Sequence, residues 1–182
     1  TPVDADAAGV LDDYLTHYLV QKAGQHRLPV FFHCGIHAWN WNDPAFAHTA
    51  GLKDLISRNP NTSFTLLHCG YPYLEDALLL CRYYPNVFLN LTWIHLLDRG
   101  KTVELIRRIL ELLPIHKIDG FGGDYTCPPL AVEHLHLAKE NLAVAFGGLV
   151  DQGTLSLEDA ADIVRRWLYD YPSQRYDAEE LL

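Results

Sequence analysis

The tripeptide His-Cys-Gly occurs twice, each time closing an apolar run. Pro29-Val30-Phe31-Phe32 leads into His33-Cys34-Gly35, and Phe64-Thr65-Leu66-Leu67 leads into His68-Cys69-Gly70. A third apolar run, starting at Ile118, ends in Phe121-Gly122-Gly123-Asp124. Imidazole and carboxylate bind hard or borderline divalent ions. Such an ion lowers the pKa of bound water toward neutrality, and a neighbouring carboxylate can then take the proton. Alone, either histidine reads as a buried group bonded to backbone, and the aspartate as a turn cap. Two histidines in one local context, with an aspartate at a third strand end, shift the reading toward a metal site made by His33, His68 and Asp124. Asp124 would ligate the ion or hold its water, and could serve as the base.

These residues meet only if three strands run parallel and open on one rim, where such sheets keep their active sites. The chain has that rhythm. Asp6 to Gln25 carries Val10, Leu11, Tyr14, Leu15, Tyr18 and Leu19 at helical spacing. Leu28–Phe32 reads as a strand buried on both faces. Trp39 to Phe46 is a loop, and Gly51–Arg58 a helix stopped by Asn59-Pro60. Ser63–Leu67, Val87–Leu91 and Ile118–Phe121 are the next strands. Tyr73–Tyr84 and Thr102–Leu113 are the helices between them. Helices follow over Leu130–Leu149 and Leu157–Tyr169, the second opened by a capping box of Ser156 and Asp159. Alternating strands and helices imply βαβ units and a parallel sheet, either of (β/α) barrel type or open and doubly wound. A closed eight-stranded barrel needs roughly 250 residues, and four strands cannot close one.

Around the three candidate ligands, His37 follows His33 by one helical turn's spacing and is a loop residue, a substrate contact or a further ligand. Trp39, Trp41, Tyr71, Tyr73, Trp93 and Tyr125 all follow strand ends, so they either wall a pocket for a small-molecule substrate or cap the core. His134 and His136 lie two apart on a predicted helix, face different sides and read as surface or packing residues. Cys34 and Cys69 alternate with the rim-facing histidines and point into packing, with no base beside them to make a nucleophile.

The bulk numbers narrow the classes. The chain of 182 residues is 49% hydrophobic and 20% charged, so it is expected to form a single domain over 1–182. A net charge of −9 argues against a nucleic-acid binder, which needs a basic face. No apolar run is long enough for a transmembrane helix, and the first residues lack a signal peptide's charged and apolar regions. Four scattered cysteines without a CxxC read as reduced thiols of a cytoplasmic protein. No glycine-rich phosphate loop follows the first strand, which disfavours a nucleotide binder. The chain has no Met, even at position 1, so it is expected to be processed or part of a longer protein.

In this order the motifs resemble the amidohydrolase superfamily, in its branch of amidohydrolase-2-type hydrolases, decarboxylases and uronate-isomerase-like proteins. The segment Leu28–Ile36 looks like the fifth barrel strand and its loop, Phe64–Pro72 the sixth, Asn86–Trp93 the seventh and Lys117–Tyr125 the eighth. The ending Trp167-Leu168-Tyr169-Asp170-Tyr171-Pro172 resembles the closing helix, with Asp where the family more often has Asn. The resemblance implies a TIM-barrel-type half-barrel of strands five to eight with C-terminal helices. It implies His33, His68 and Asp124 as ligands of a divalent metal, often zinc, with Asp124 the general base. Water would attack an amide, ester or lactone. A uronate isomerase, for which Arg99 and Trp93 are candidate contacts, or a decarboxylase is the alternative. The family's first strand supplies a His-x-His pair, and this chain has none before His33. The chain is therefore expected to pair with a missing N-terminal half or a second copy, or to be a catalytically incomplete folded module.

Overall fold

The computed structural model describes residues 5–37 and 43–176. Four strands, Val30–Phe32 (β1), Phe64–Leu66 (β2), Val87–Thr92 (β3) and Ile118–Gly122 (β4), form one sheet. All pairs are parallel and the spatial order is β1-β2-β3-β4. Each connection must carry the chain back along the sheet before the next strand can begin. Every strand therefore ends on the same rim.

The sheet is sided by the two-residue period of extended chain. Phe64, Leu66, Val87, Leu89, Leu91 and Ile118 are fully buried on one face. They share an apolar cluster with Ile56 of Lys53–Arg58 (α2), Ala77 and Cys81 of Leu74–Tyr83 (α3), and Ile106 and Ile109 of the long crossover helix described next. That helix, after the single turn Ile94–Leu97 (α4), is Arg99–Leu112 (α5). The Asp98 carboxylate accepts the Lys101 N–H at 3.0 Å and so starts it. The opposite face carries Phe31, Thr65, Phe88, Asn90, Thr92 and Asp119, a mixed polar surface.

Pro128–Asp151 (α6) and Leu157–Arg165 (α7) follow the last strand. Of the predicted capping box the N-cap half forms: the Ser156 hydroxyl accepts the Asp159 N–H at 3.0 Å and donates to the Asp159 carboxylate at 2.6 Å. Sequence periodicity predicts a helix running on to Tyr169. Instead α7 passes into a wide π turn over Arg166–Asp170 and then Tyr171–Arg175 (α8). Within that turn Trp167 is fully buried, and its indole N–H donates to the Ile115 carbonyl at 2.9 Å. The first helix, Ala5–Gln25 (α1), forms as its periodicity predicts. Its stripe does not find a core: Val20 is buried, whereas Val10, Leu11, Tyr14, Leu15, Tyr18 and Leu19 are exposed. Periodicity reports that a helix has an apolar face; it says nothing about whether a neighbour covers it. Among the described residues, no helix is long and apolar enough to cross a membrane.

Leu89 has no exposed surface on a strand that is paired on both sides. Leu89→Ala is expected to cost about 2–5 kcal/mol in denaturant unfolding. A loss under about 1 kcal/mol would contradict the packing described.

Candidate metal centre

His33 directly follows β1, and His68 lies in the 3₁₀ turn Leu67–Gly70 that ends β2. Asp124 lies two residues past β4. The rim is built from backbone that most residues avoid. His68 (φ 56°), Cys69 (φ 48°), Trp93 (φ 61°) and Asp124 (φ 51°) are all left-handed without being glycine. Each such residue costs on the order of 1–3 kcal/mol, and such residues concentrate where a chain holds a functional geometry. Gly35, at φ 82°, lies so close to the next turn that a Cβ would come within 2.6 Å of the Tyr71 N and O. That contact draws the first His-Cys-Gly against the loop after the second.

The three sequence-predicted ligands are neighbours. The His33 and His68 rings are 4.7 Å apart, nearly perpendicular at 88°. His68 Nε2 is 3.8 Å from Asp124 Oδ2. His68 is buried, whereas the Asp124 side chain is 55% exposed and opens toward solvent. Among the described residues, no group of three or more His, Cys, Asp or Glu side chains is arranged to hold a metal ion.

The contacts of His68 fix where its ring proton sits. Its Nδ1 lies 3.1 Å from the Thr92 carbonyl oxygen, which can only accept, so Nδ1 carries the proton. Nε2 then presents a lone pair, is buried and has no hydrogen-bond partner among the described residues. Burial first, and His33 next, hold the His68 pKa below its usual value, against the opposing pull of the Thr92 carbonyl and then of Asp124. Burial first and then His37 lower His33, again opposed by Asp124. Two neutral imidazoles thus stand beside a carboxylate. A lone pair facing a carboxylate oxygen leaves two acceptors with no donor between them. A divalent cation held by these groups would resolve that conflict by giving both a positive partner. The donor chemistry of His33, His68 and Asp124, nitrogen and carboxylate oxygen, is of the kind that suits a divalent ion.

Aromatic groups stand around them. Trp93 stacks on Tyr125 at 6.0 Å and meets the His68 ring edge-on at 5.8 Å. Its indole N–H donates to the Gly123 carbonyl at 3.1 Å and so ties down the segment before Asp124. The His37 ring is 4.8 Å from that of His33. His37 and Tyr71 help line a recess of about 260 Å³ with Ile36, Pro44 and Pro72. Trp39 and Trp41 fall outside the described residues. Two larger grooves, of about 430 and 440 Å³, lie against the helices and hold none of the candidate ligands. The cysteines are free; Cys34, Cys69 and Cys81 are buried and Cys127 is exposed. Burial pushes the Cys34 thiol up to about 12, which removes it as a nucleophile near neutral pH.

The Amidohydrolase family model matches residues 2–170. The chain belongs to the amidohydrolase family. Protein fluG of Emericella nidulans is 26% identical over 160 residues, covering 87% of this chain and 18% of that protein. A "putative metal-dependent hydrolase" from Lactobacillus casei superposes with a TM-score of 0.80 at 20% identity, over 94% of this chain and 45% of the other. Glucuronate isomerase from Caulobacter crescentus does so with a TM-score of 0.67 at 17% identity, over 90% and 38%. At these identities the two structures establish the fold. This amidohydrolase chain spans less than half the length of each of the three relatives.

Two groups behind the rim escape a motif search. His134, read from sequence as surface or packing, is a buried packing residue against Phe121 and Tyr125, while His136 is exposed. His95, on α4, is fully buried, and its Nε2 donates to the Gly120 carbonyl at 2.8 Å. Burial lowers the His95 pKa to about 4, against 6.5 in an unfolded chain. Between those values the unfolded chain binds a proton that the folded one does not. Stability therefore rises with pH across this window and is lost as pH falls from about 6.5 toward 4. Urea midpoints measured from pH 7.5 to pH 4.5 should fall, and His95→Gln, which takes up no proton, should flatten the slope. An unchanged slope in the variant would contradict the assignment.

Proposed function

We propose that His33, His68 and Asp124 form part of a divalent-metal hydrolase centre, zinc being the ion favoured by the nitrogen and oxygen donors. The observation that carries this reading is the buried, unpartnered Nε2 of His68 aimed at the Asp124 carboxylate. When bound, the ion would supply Lewis-acid polarisation and a lowered water pKa. His33 and His68, kept neutral by burial, would hold it. Asp124, half open to solvent, would take a proton from the attacking water and return it to the leaving group of an amide, ester or lactone. Trp93 and Tyr125 on one side, and His37 and Tyr71 on the other, would flank a small substrate and exclude water; Trp39 is assigned to the same wall from sequence.

The four strands would be the fifth to eighth staves of an eight-stranded barrel. Sequential parallel order and the share of the two superposed structures covered support this. The remaining staves would complete the ligand set. The isomerase alternative asked Arg99 to meet a carboxylate. Arg99 pairs with Glu140 at 3.0 Å, both more than half exposed, whereas Trp93, the other contact of that alternative, stands at the rim beside His68, and the likeness to glucuronate isomerase supports the alternative at the level of the fold.

Zinc or manganese titrated calorimetrically into the full chain should bind at one site. His33→Ala and His68→Ala should each weaken binding tenfold or more, as loss of a ligand does. Asp124→Asn should cost about 10²–10⁴-fold in hydrolysis through loss of the base. Absence of binding, or binding indifferent to both histidine substitutions, would overturn the reading.

A further inference from the structure

The mixed polar face of the sheet carries a run of hydrogen bonds that ends at the Thr92 hydroxyl, and the backbone carbonyl of the same residue meets His68. Asp119, on β4, is fully buried. Its Oδ1 accepts from Arg175 and its Oδ2 from the Tyr176 hydroxyl, both at the end of α8. Arg175 also donates to the His116 carbonyl and lies 4.0 Å over the Phe88 ring, so the end of α8 is locked against the base of the sheet. Asn90, across from Asp119 on β3, donates its Nδ2 to Oδ2 at 3.4 Å. The Asn90 Oδ1 accepts the Thr92 hydroxyl at 2.5 Å. Thr92 in turn presents the carbonyl that receives His68 Nδ1–H.

Every link has a determined polarity. A carboxylate only accepts, so the Asn90 amide must turn its NH₂ toward Asp119 and its oxygen toward Thr92. The Thr92 hydroxyl must then donate. β4 makes room for this arrangement. Its register slips against β3 between Asn90 and Thr92, which turns Gly122 toward them, and a Cβ there would collide with the Thr92 hydroxyl and Asn90 Oδ1. Only glycine leaves the space.

We propose that Asn90, Thr92 and Asp119, anchored by Arg175 and Tyr176, are positioning residues that fix the Thr92 carbonyl and thereby hold His68 as the Nδ1–H tautomer with its Nε2 lone pair facing Asp124. The α8 end, far along the chain from the rim, thus sets a donor atom there. The tautomer claim stands on the metal-free chain; its consequence for metal affinity rests on the proposed hydrolase centre.

Nitrogen-15 NMR of the His68 ring in the metal-free full chain tests it. The native protein should show one protonated nitrogen, Nδ1. Thr92→Ser keeps the hydroxyl and should keep that pattern. Thr92→Val, and independently Asn90→Ala should Thr92→Val not fold, should bring in the Nε2–H form. Their zinc affinity should fall about 10–100-fold, as for loss of a group that orients a ligand. A native spectrum dominated by Nε2–H overturns the proposal. So does an unmixed Nδ1–H signal in folded Thr92→Val or Asn90→Ala. The predicted tautomer shift without zinc binding in the native chain would uphold the positioning role while removing the metal reading.

Discussion

One buried imidazole organises the rim. His68 is gripped on one side by a backbone carbonyl of β3 and lies on the other near a carboxylate from the segment just past β4. Because a carbonyl cannot donate, the proton's place on the ring follows from the backbone alone. Everything around His68 keeps that geometry: the left-handed turn that carries it, the Gly35 contact that draws in the neighbouring loop, and the Trp93 indole that fixes the segment before Asp124. The strain of several left-handed residues is tolerable because the apolar cluster beneath gives the strands no freedom to relax it.

The same logic connects sheet and chemistry. A parallel sheet with sequential strands puts all its C-terminal ends together, so residues widely separated in sequence meet without long loops. The face toward the helices is apolar and supplies stability. The other face is polar, and its interior carboxylate, Asp119, is tolerated because Arg175, Tyr176 and Asn90 all donate to it. Burial pushes the Asp119 carboxyl up, and these partners pull against that. A polar face that is fully satisfied can specify orientation where an apolar one could only exclude water.

Much of this was legible in the sequence. The strands showed as short runs of β-formers, and the repeated His-Cys-Gly marked two equivalent strand ends. Ser156 and Asp159 announced the start of α7. The order of motifs resembled the amidohydrolases, and the family match bears that out. What stayed hidden has physical reasons. The exposed stripe of α1 is indistinguishable by period from a buried one. The π turn at Trp167 depends on where that indole finds the Ile115 carbonyl. Lys117 reads as an ordinary charge, yet its ammonium donates to the Cys81 and Tyr84 carbonyls at 2.7 and 2.6 Å at the end of α3. Asn90 and Asp119 did leave a trace, as polar residues inside apolar runs. Their partners lie far away in the chain, and no local pattern joins them.

Diffraction from crystals of the full chain soaked in zinc, with anomalous data collected at the zinc edge, tests the central claim most directly. The account predicts a peak within bonding distance of His68 Nε2 and an Asp124 carboxylate oxygen, with His33 completing this side of the ion. No peak at the rim under saturating zinc, or one whose ligands exclude His68 and Asp124, would contradict it.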